Sequence, residues 1–131
     1  MNKQTTLDFK FVKILGEGSF STVVLAFSVK THIPYAIKIV EKSHVIKHNK
    51  IEATMREKDM YSMMSYELIV KLVCTFQDAN NLYFVLNYCH GGDLYTLLNH
   101  HKLFTVDVAQ FYLAELVLCM EYLRSTNILH R

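Results

Sequence analysis

Apolar and polar residues alternate along the first 40 positions of the chain in the way that is typical of β-strands. Three runs carry this pattern, "FKFVKIL", "TVVLAFSV" and "YAIKIV", and the turn-forming segments "GEGS" and "KTHIP" separate them. β-Branched and aromatic residues dominate each run. The pattern therefore predicts three antiparallel strands within residues 8–40.

The spacing changes after residue 40 and later returns to strand character. Residues 49–65 have helical spacing, whereas "LIVKLVCTFQ" and "NLYFVLNYC" are strand-like runs on either side of the turn "DANN". Beyond "HGGD" the spacing is helical over residues 93–100 and 105–125. The sequence thus predicts an α+β fold, in which five antiparallel strands with one helix among them precede two further helices.

The last predicted helix is apolar over most of its circumference, because its polar positions form only one narrow stripe. Such a helix normally packs inside a larger helical layer, yet only one short helix is available beside it. We expect either a partner or further parts of a longer chain to cover this helix.

Composition and charge exclude several classes of function. The 131 residues are 51% hydrophobic, which is enough apolar material for the core of one domain. The 14 basic and 12 acidic residues are interspersed and leave a net charge of +2, so charge does not indicate a nucleic-acid or membrane partner. No apolar window is long enough for a signal sequence or a membrane span. We expect a soluble, cytoplasmic protein.

Cysteine and histidine residues give no indication of a metal site. Cys74, Cys89 and Cys119 are isolated and odd in number, which is typical of free thiols in a reducing compartment. His44 and His48 would share one helical face, but no carboxylate or cysteine joins them at ligand spacing. We expect no bound metal.

The segment "LGEGSFSTVVLA", residues 15–26, is the first candidate for functional chemistry. A strand follows its glycines, whereas a dinucleotide-binding fingerprint needs a helix there and a Walker loop needs a GK[ST] ending. Two interpretations remain: an ordinary hairpin, and a hairpin whose backbone N–H groups lie over phosphates because Gly16 and Gly18 have no Cβ.

Two charged residues interrupt faces that are otherwise apolar. Alternation places Lys38 on the same strand face as Ala36 and Val40, and Glu57 interrupts the apolar stripe of the helix predicted over residues 49–65. Breaking a buried ion pair typically costs about 3–5 kcal/mol, so these charges are best explained as partners. A lysine that reaches solvent past apolar neighbours, together with an ordinary surface glutamate, is the alternative.

Glycine loop, valine, Ala-x-Lys and helical glutamate, in this order, resemble the small lobe of the eukaryotic protein kinases. The resemblance continues through "NLYFVLNYCHGGDL", which is similar to the kinase hinge, to "NILHR", which is similar to the start of the catalytic loop. Within the kinases, "ILGEGSFSTVVLA", "YAIKI", "EKSHVIKHNK", "VKLVCTFQD" and "LYFVLNY" are most similar to the AGC group and its phosphoinositide-dependent protein kinases. Ser21 departs from the general kinase pattern but matches that family.

This resemblance implies how the chain is divided. Residues 1–8 would be an N-terminal extension and residues 9–88 a kinase small lobe, with a five-stranded antiparallel sheet and a regulatory helix. Residues 89–131 would form the hinge and the first two helices of an incomplete large lobe.

The resemblance also implies an ATP site. Lys38 would hold the α- and β-phosphates while paired with Glu57, and these are the two expected catalytic residues. The other implied ATP-binding residues are Leu15, Val23 and Ala36 around the adenine, Gly16, Glu17, Gly18, Ser19, Phe20 and Ser21 over the phosphates, Leu86 at the back pocket, Asn87 and Cys89 in the hinge, and Asp93 near the ribose. Asp93 would also be a good helix N-cap, and both roles are compatible.

A second site is implied by the similarity to the phosphoinositide-dependent kinases. In that family a hydrophobic pocket between the glutamate helix and the sheet receives the phosphorylated hydrophobic motif of substrate kinases. The matching positions are Lys42, Val45, Ile46, Ile51, Thr54, Met55, Lys58, Thr75, Gln77 and Leu82. Lys58, Thr75, Gln77 and Lys3 would bind the phosphate, although lysine at position 58 replaces the family's arginine and loses its bidentate geometry. Simple helix–sheet packing with solvated charges is the alternative.

Arg56 matches the helix arginine that contacts the phosphorylated activation loop in these kinases, and that loop is not in this chain. The catalytic-loop aspartate and the Mg²⁺-binding residues of the family are also absent, so we expect a kinase fragment without activity of its own.

Together, these motifs predict the ATP-binding part of a serine/threonine kinase that phosphorylates other protein kinases. ATP is the expected cofactor, and Mg²⁺ is expected only with the missing large lobe. The expected partners are AGC-type kinases that carry a phosphorylated hydrophobic motif, with no nucleic acid and no membrane contact. The alternatives are a non-catalytic module that binds nucleotide or phosphopeptide and an interaction module that docks through its last helix.

Overall fold

The five alternating apolar runs each form a strand in the computed structural model, which describes residues 4–130. The strands are β1 (Phe9–Glu17), β2 (Ser21–Ser28), β3 (Pro34–Glu41), β4 (Leu72–Gln77) and β5 (Asn81–Asn87), and a 3-10 helix, Thr6–Asp8, precedes them. They form one sheet in the order β1-β2-β3-β5-β4, and every neighbouring pair is antiparallel. Together with the helices that follow, this sheet confirms the predicted α+β fold.

Within residues 4–130, four α-helices accompany the sheet: α1 (Lys42–Lys47), α2 (Ile51–Met63), α3 (Leu94–His101) and α4 (Val106–Ser125). The chain divides into two compact units, and the sheet with α1 and α2 belongs to the first, within residues 4–65 and 70–88. The second unit comprises residues 66–69 and 89–130 and contains α3 and α4.

Alternation divides the strand residues between the two faces of the sheet, and each face has its own apolar cluster. On one face, the buried residues are Phe9, Ala26, Ile37, Phe76, Tyr83 and Val85. On the other face, Val40 and Phe84 pack with Val45, which comes from α1. Lys38 lies two positions before Val40 on β3, so its side chain starts from the face that α1 covers.

Helix α1 is an element that the sequence pattern does not predict, since only one helix is expected among the strands. Its six residues make fewer than two turns, which is too short to establish a periodicity. Asn49 adopts a positive φ of 52° and separates α1 from α2. This residue also explains why α2 begins at Ile51 instead of at position 49.

Two strands are shorter than their apolar runs. β4 begins at Leu72, four residues later than its run, because residues 66–69 form a turn in which the Ile69 N–H donates to the Tyr66 carbonyl over 3.0 Å. β5 ends at Asn87, two residues before its run does. The turn "DANN" between them is present, and the Asp78 carboxylate accepts hydrogen bonds from the Tyr83 hydroxyl and from the N–H groups of residues 80 and 81. These hydrogen bonds lower the pKa of Asp78, and the one from Tyr83 has the largest effect.

The long helix α4 has no buried residue. Large apolar side chains on it are more than half exposed, including Phe111 at 60%, Leu113 at 59% and Met120 at 56%. Residues 4–130 therefore leave much of the apolar surface of this helix exposed, as the sequence pattern predicts. No helix in that range combines the length and the apolar character that crossing a membrane requires.

Candidate functional site

The glycine-rich segment forms the hairpin between β1 and β2. The register shifts between Ile14 and Gly16, and beyond this shift Gly16 pairs with Val23 and Glu17 pairs with Thr22, so the strands stay paired up to the turn. Within the turn, the Gly18 N–H donates to the Ser21 carbonyl over 2.8 Å. The hairpin between two strands that the sequence predicts is therefore present.

Nothing in the packing of the hairpin requires glycine at its two glycine positions. A Cβ at Gly16 would have no atom within 4 Å, and one at Gly18 would make ordinary contacts with Ser21, the nearest at 3.5 Å. Neither glycine has a positive φ. Because neither glycine carries a Cβ, a phosphate can approach the backbone more closely at Gly16 and Gly18 than at other residues.

Lys38 and Glu57 form an ion pair, as expected from their positions. The Lys38 Nζ lies 2.5 Å from the Glu57 Oε1, which joins the middle of β3 to α2. The lysine side chain is 22% exposed and the glutamate 34%, so the pair is half-buried and water still reaches it. Neither charge belongs to the apolar core, and screening by water makes the pair weaker than a buried one.

The ion pair influences its surroundings on α2. Tyr61 follows Glu57 by one helical turn, and its pKa is raised, mainly by burial and also by the negative charge of Glu57. Glu57 thus acts on the ionisation of a second group of α2, in addition to its ion pair with Lys38.

The sheet register places the hairpin and Lys38 in one row. Gly16 pairs with Val23, Val23 with Lys38, Lys38 with Phe84, and Phe84 with Thr75. Residues directly opposite each other in an antiparallel pair share a face of the sheet. The row consequently brings Lys38 onto the same face as the hairpin glycine, with Val23 between them.

Apolar residues border this row on the side away from the hairpin turn. Ala36 is two positions before Lys38 and pairs with both Leu25 and Leu86. Leu86 is buried, with 8% of its surface exposed, and Leu15 is partly exposed at 39%. The structure thus places Leu15, Val23, Ala36 and Leu86 in the first unit with Lys38, where a planar apolar ligand could contact the face of β2 and β3.

Three predicted nucleotide contacts lie at the end of β5 or beyond it. The Asn87 N–H already donates to the Lys71 carbonyl over 3.0 Å. In any backbone hydrogen bond with a nucleotide, the Asn87 carbonyl would therefore be the acceptor. Cys89 is exposed in the second unit. Its carbonyl accepts from the Gly92 N–H over 3.3 Å.

Asp93 caps helix α3, which confirms the structural role that its position after two glycines suggests. Its carboxylate accepts from the Thr96 N–H over 2.7 Å and from the Thr96 hydroxyl over 3.0 Å. These hydrogen bonds lower its pKa, so the carboxylate stays charged at neutral pH. A contact between Asp93 and a ribose remains a prediction.

A groove lies between α2 and strands β4 and β5, with a volume of about 220 Å³. Six of the ten predicted docking residues line it: Thr54, Met55, Lys58, Thr75, Gln77 and Leu82. Sequence reasoning missed Phe76, Tyr83 and Phe84 as lining residues. Alternation was a sufficient signal for Phe84, which is two positions from Leu82 on β5 and shares its face.

Four predicted docking residues are not among the described residues that line the groove. The Lys42 Nζ donates to the Asp78 carbonyl over 2.6 Å, and Val45 is buried in the cluster with Phe84. Ile46 and Ile51 are exposed at 61% and 53%. Lys3, the fourth expected phosphate contact, lies outside residues 4–130. The groove is accordingly formed by α2 and the sheet, without α1.

Two further expectations concern charged and metal-binding groups. The Arg56 guanidinium lies 3.3 Å from Glu52, one helical turn earlier, and both side chains are exposed. Within residues 4–130, no group of three or more histidine, cysteine or acidic residues has the proximity that a metal ion needs. All three cysteines are free thiols.

A family model described as "Protein kinase domain" matches residues 9–131, which is most of the chain. This chain therefore belongs to the protein kinase domain family. It is 48% identical over 129 residues to human 3-phosphoinositide-dependent protein kinase 1, covering 98% of the chain and 23% of that protein. The identity is 39% to 3-phosphoinositide-dependent protein kinase B of Dictyostelium discoideum, covering 99% of the chain and 14% of that protein.

A further relative is the cAMP-dependent protein kinase catalytic subunit of Arthrobotrys oligospora, with 40% identity over 98% of the chain and 25% of that protein. The chain spans a quarter or less of the length of each of these three relatives. The similarity confirms the resemblance to the phosphoinositide-dependent kinases that the motifs indicate.

Proposed function

We propose that this chain forms the ATP-binding part of a serine/threonine protein kinase whose substrates are other protein kinases. The observation that carries the proposal is the Lys38–Glu57 ion pair, whose lysine lies in one sheet row with Gly16 of the glycine hairpin. A charged lysine fixed by a carboxylate, next to a backbone that carries no Cβ at Gly16 and Gly18, is an arrangement that suits the phosphates of a nucleotide.

Each part of the proposed site has a distinct task. Lys38 would donate to the α- and β-phosphates, and Glu57 would keep its ammonium in place. Backbone N–H groups within residues 16–21 would orient the phosphates, apart from that of Gly18, which donates to the Ser21 carbonyl. The adenine would lie against Leu15, Val23 and Ala36. ATP itself supplies the transferable phosphoryl group, and Mg²⁺ would be held by groups that are not among these 131 residues.

Lys38 and Glu57 are catalytic residues in this proposal, whereas the aspartate that accepts the substrate proton in kinases is not among the 131 residues. The proposed boundaries are an extension over residues 1–8, a small lobe over 9–88, and a hinge with large-lobe helices over 89–131. Residues 1–3 and 131 of these ranges lie outside the described part. Cytoplasmic location belongs to the same proposal, since the three free cysteines suit a reducing compartment.

Binding of ATP to the chain tests the proposal directly. We expect saturable binding in isothermal titration calorimetry, with competition by adenosine, because the apolar residues and Lys38 would contact different parts of the nucleotide. Phosphoryl transfer would be measured on the endogenous polypeptide, captured with an antibody against residues 1–131. Absence of ATP binding would contradict the proposal. Binding without transfer by the captured polypeptide would favour a non-catalytic module.

We also propose that the groove between α2 and the sheet binds a phosphorylated hydrophobic segment of substrate kinases. Apolar Met55, Leu82 and Phe84 line it together with the polar side chains of Lys58, Thr75 and Gln77. Thr75 and Gln77 share a strand face, so their donors point the same way. This combination suits an aromatic peptide that carries one phosphate.

Replacing Lys58 by alanine is expected to weaken binding of such a phosphopeptide about 5- to 10-fold, as for a charge-assisted hydrogen bond that water partly screens. Fluorescence anisotropy with a labelled peptide would measure it. The unphosphorylated peptide should bind Lys58→Ala and the unchanged chain equally. The matched control is Lys30→Ala in the exposed turn between β2 and β3. An equal loss for both peptides would show that Lys58 does not contact the phosphate.

A further inference from the structure

Three aromatic rings connect the glycine hairpin to helix α1. The Phe20 ring lies at the hairpin turn, with its centroid 5.3 Å from that of His48 and 6.2 Å from that of His44. The two imidazole centroids are 5.4 Å apart, and every pair meets edge to face, with interplanar angles of 62–69°. These distances and angles are those at which aromatic side chains attract one another.

The hairpin turn is closed by a hydrogen bond of its own and contacts His44 and His48 through Phe20. Its internal hydrogen bond, from Gly18 to Ser21, closes the turn on itself and does not attach it to the rest of the molecule. Phe20 is 37% exposed, so most of its ring is covered although it lies at the tip of a surface hairpin. Contact with His44 and His48 accounts for part of this cover and provides an attachment point outside β1 and β2.

Helix α1 is itself firmly attached to the sheet. Val45 is buried against Val40 and Phe84, and the Lys42 Nζ donates to the Asp78 carbonyl. The Lys50 N–H donates to the Val45 carbonyl over 2.8 Å, which fixes the chain just after His48. His44 and His48 therefore have fixed positions relative to the sheet. Contact with them restricts the motion of the Phe20 ring.

We propose that His44 and His48 are positioning residues that hold Phe20, and through it the glycine hairpin, in place for the phosphates of ATP. This inference rests on the proposed nucleotide function. A hairpin that is already ordered has less conformational entropy to lose when a nucleotide binds. The advantage applies to ligands with phosphates, because in the proposed site the hairpin would contact the phosphates and the adenine would lie against Leu15, Val23 and Ala36.

A double-mutant cycle with Phe20→Ala and His48→Ala in the full chain tests this inference. Each substitution is expected to weaken ATP binding about 2- to 10-fold, the range of an aromatic pair contact. The double variant should bind ATP no more weakly than the single variant with the lower affinity, since each substitution removes the contact between Phe20 and His48. Adenosine affinity should be unchanged, and His48→Phe should restore ATP affinity by retaining an aromatic ring.

Hydrogen exchange of the amides of residues 16–21 without nucleotide gives a second readout. Exchange should be faster in Phe20→Ala and His48→Ala than in the unchanged chain, and unaltered in the control Lys47→Ala, which changes an exposed residue of the same helix. Thermal melts would establish that every variant is folded.

The outcomes separate this inference from the proposed function. If the unchanged chain binds ATP but the two single effects add fully, or His48→Ala alters neither ATP affinity nor exchange, the inference is wrong and the function stands. If no form of the chain binds ATP, the proposed function fails and the inference, which depends on it, fails as well. Faster exchange in the variants would then show only a structural contact.

Discussion

Replacing Lys38 by methionine is expected to weaken ATP binding about 10- to 150-fold, the effect of losing hydrogen bonds between a charged donor and phosphates. Methionine is similar in length but carries no charge and no donor. Adenosine should bind the variant and the unchanged chain equally, because its contacts would be with the apolar residues beside Ala36. Calorimetric titration of both ligands would measure the two affinities.

The fold should survive this substitution, because the Lys38–Glu57 pair is only half-buried. Glu57 is 34% exposed, so water can hydrate its carboxylate once the lysine is gone. Lys30→Met, in the exposed turn between β2 and β3, makes the same chemical change outside the row and should leave ATP affinity unaltered. Equal ATP affinities for Lys38→Met and the unchanged chain would remove Lys38 from the site.

Glu57→Gln addresses the positioning role of the glutamate. The amide oxygen can still accept from the Lys38 ammonium, but the charge that fixes it is lost. We expect a smaller loss of ATP affinity than for Lys38→Met, and no additional loss when both substitutions are combined. Losses that add in the double variant would indicate that Glu57 acts independently of Lys38.

Periodicity was sufficient to predict the ion pair because each partner interrupts a regular pattern. Lys38 breaks the apolar alternation of β3, and Glu57 breaks the apolar stripe of α2. Two elements with known periods determine which face each side chain occupies. Each charge on an apolar face needs a partner, so the pattern predicts that Lys38 and Glu57 lie close together. The Lys38 Nζ is 2.5 Å from the Glu57 Oε1, in agreement with this prediction.

Helix α1 shows where such reasoning ends. Its six residues contain no complete pattern, and its position depends on the burial of Val45 between residues of β3 and β5. That contact is tertiary and leaves no local signal. The break at Asn49 has a similar effect, because it decides which side chains of α1 and α2 line the groove, and Val45, Ile46 and Ile51 are not among them.

The contact of Phe20 with His44 and His48 also has no local signal. Helical spacing correctly places the two imidazoles near each other, but the hairpin that brings Phe20 to them is more than 20 residues earlier in the chain. On sequence alone the histidine spacing raises only the question of a metal site, and no third ligand at suitable spacing supports one. Aromatic packing is an equally good use of two adjacent rings.

Ile37→Ala is expected to lower the free energy of unfolding by about 2–5 kcal/mol. Ile37 is fully buried on β3, the central strand of the sheet, where it pairs with Val24 on β2 and with Val85 on β5. Removing three carbon atoms there loses apolar burial and leaves a cavity between strands that pair on both sides. Urea denaturation followed by circular dichroism would measure the change.

Ile14→Ala is the matched control, since Ile14 lies on β1 of the same sheet but is 57% exposed. The same atoms are removed from a strand, so the difference between the two variants isolates the contribution of burial from that of β-propensity, which spans about 1 kcal/mol. Because domains of this size are stable by only about 5–15 kcal/mol, the loss at Ile37 is a large part of the total. It would act on the nucleotide site as well, since Lys38 follows Ile37 directly on β3 and depends on that strand for its position beside Glu57. Similar losses for Ile14→Ala and Ile37→Ala would mean that the Ile37 side of the sheet is not the core.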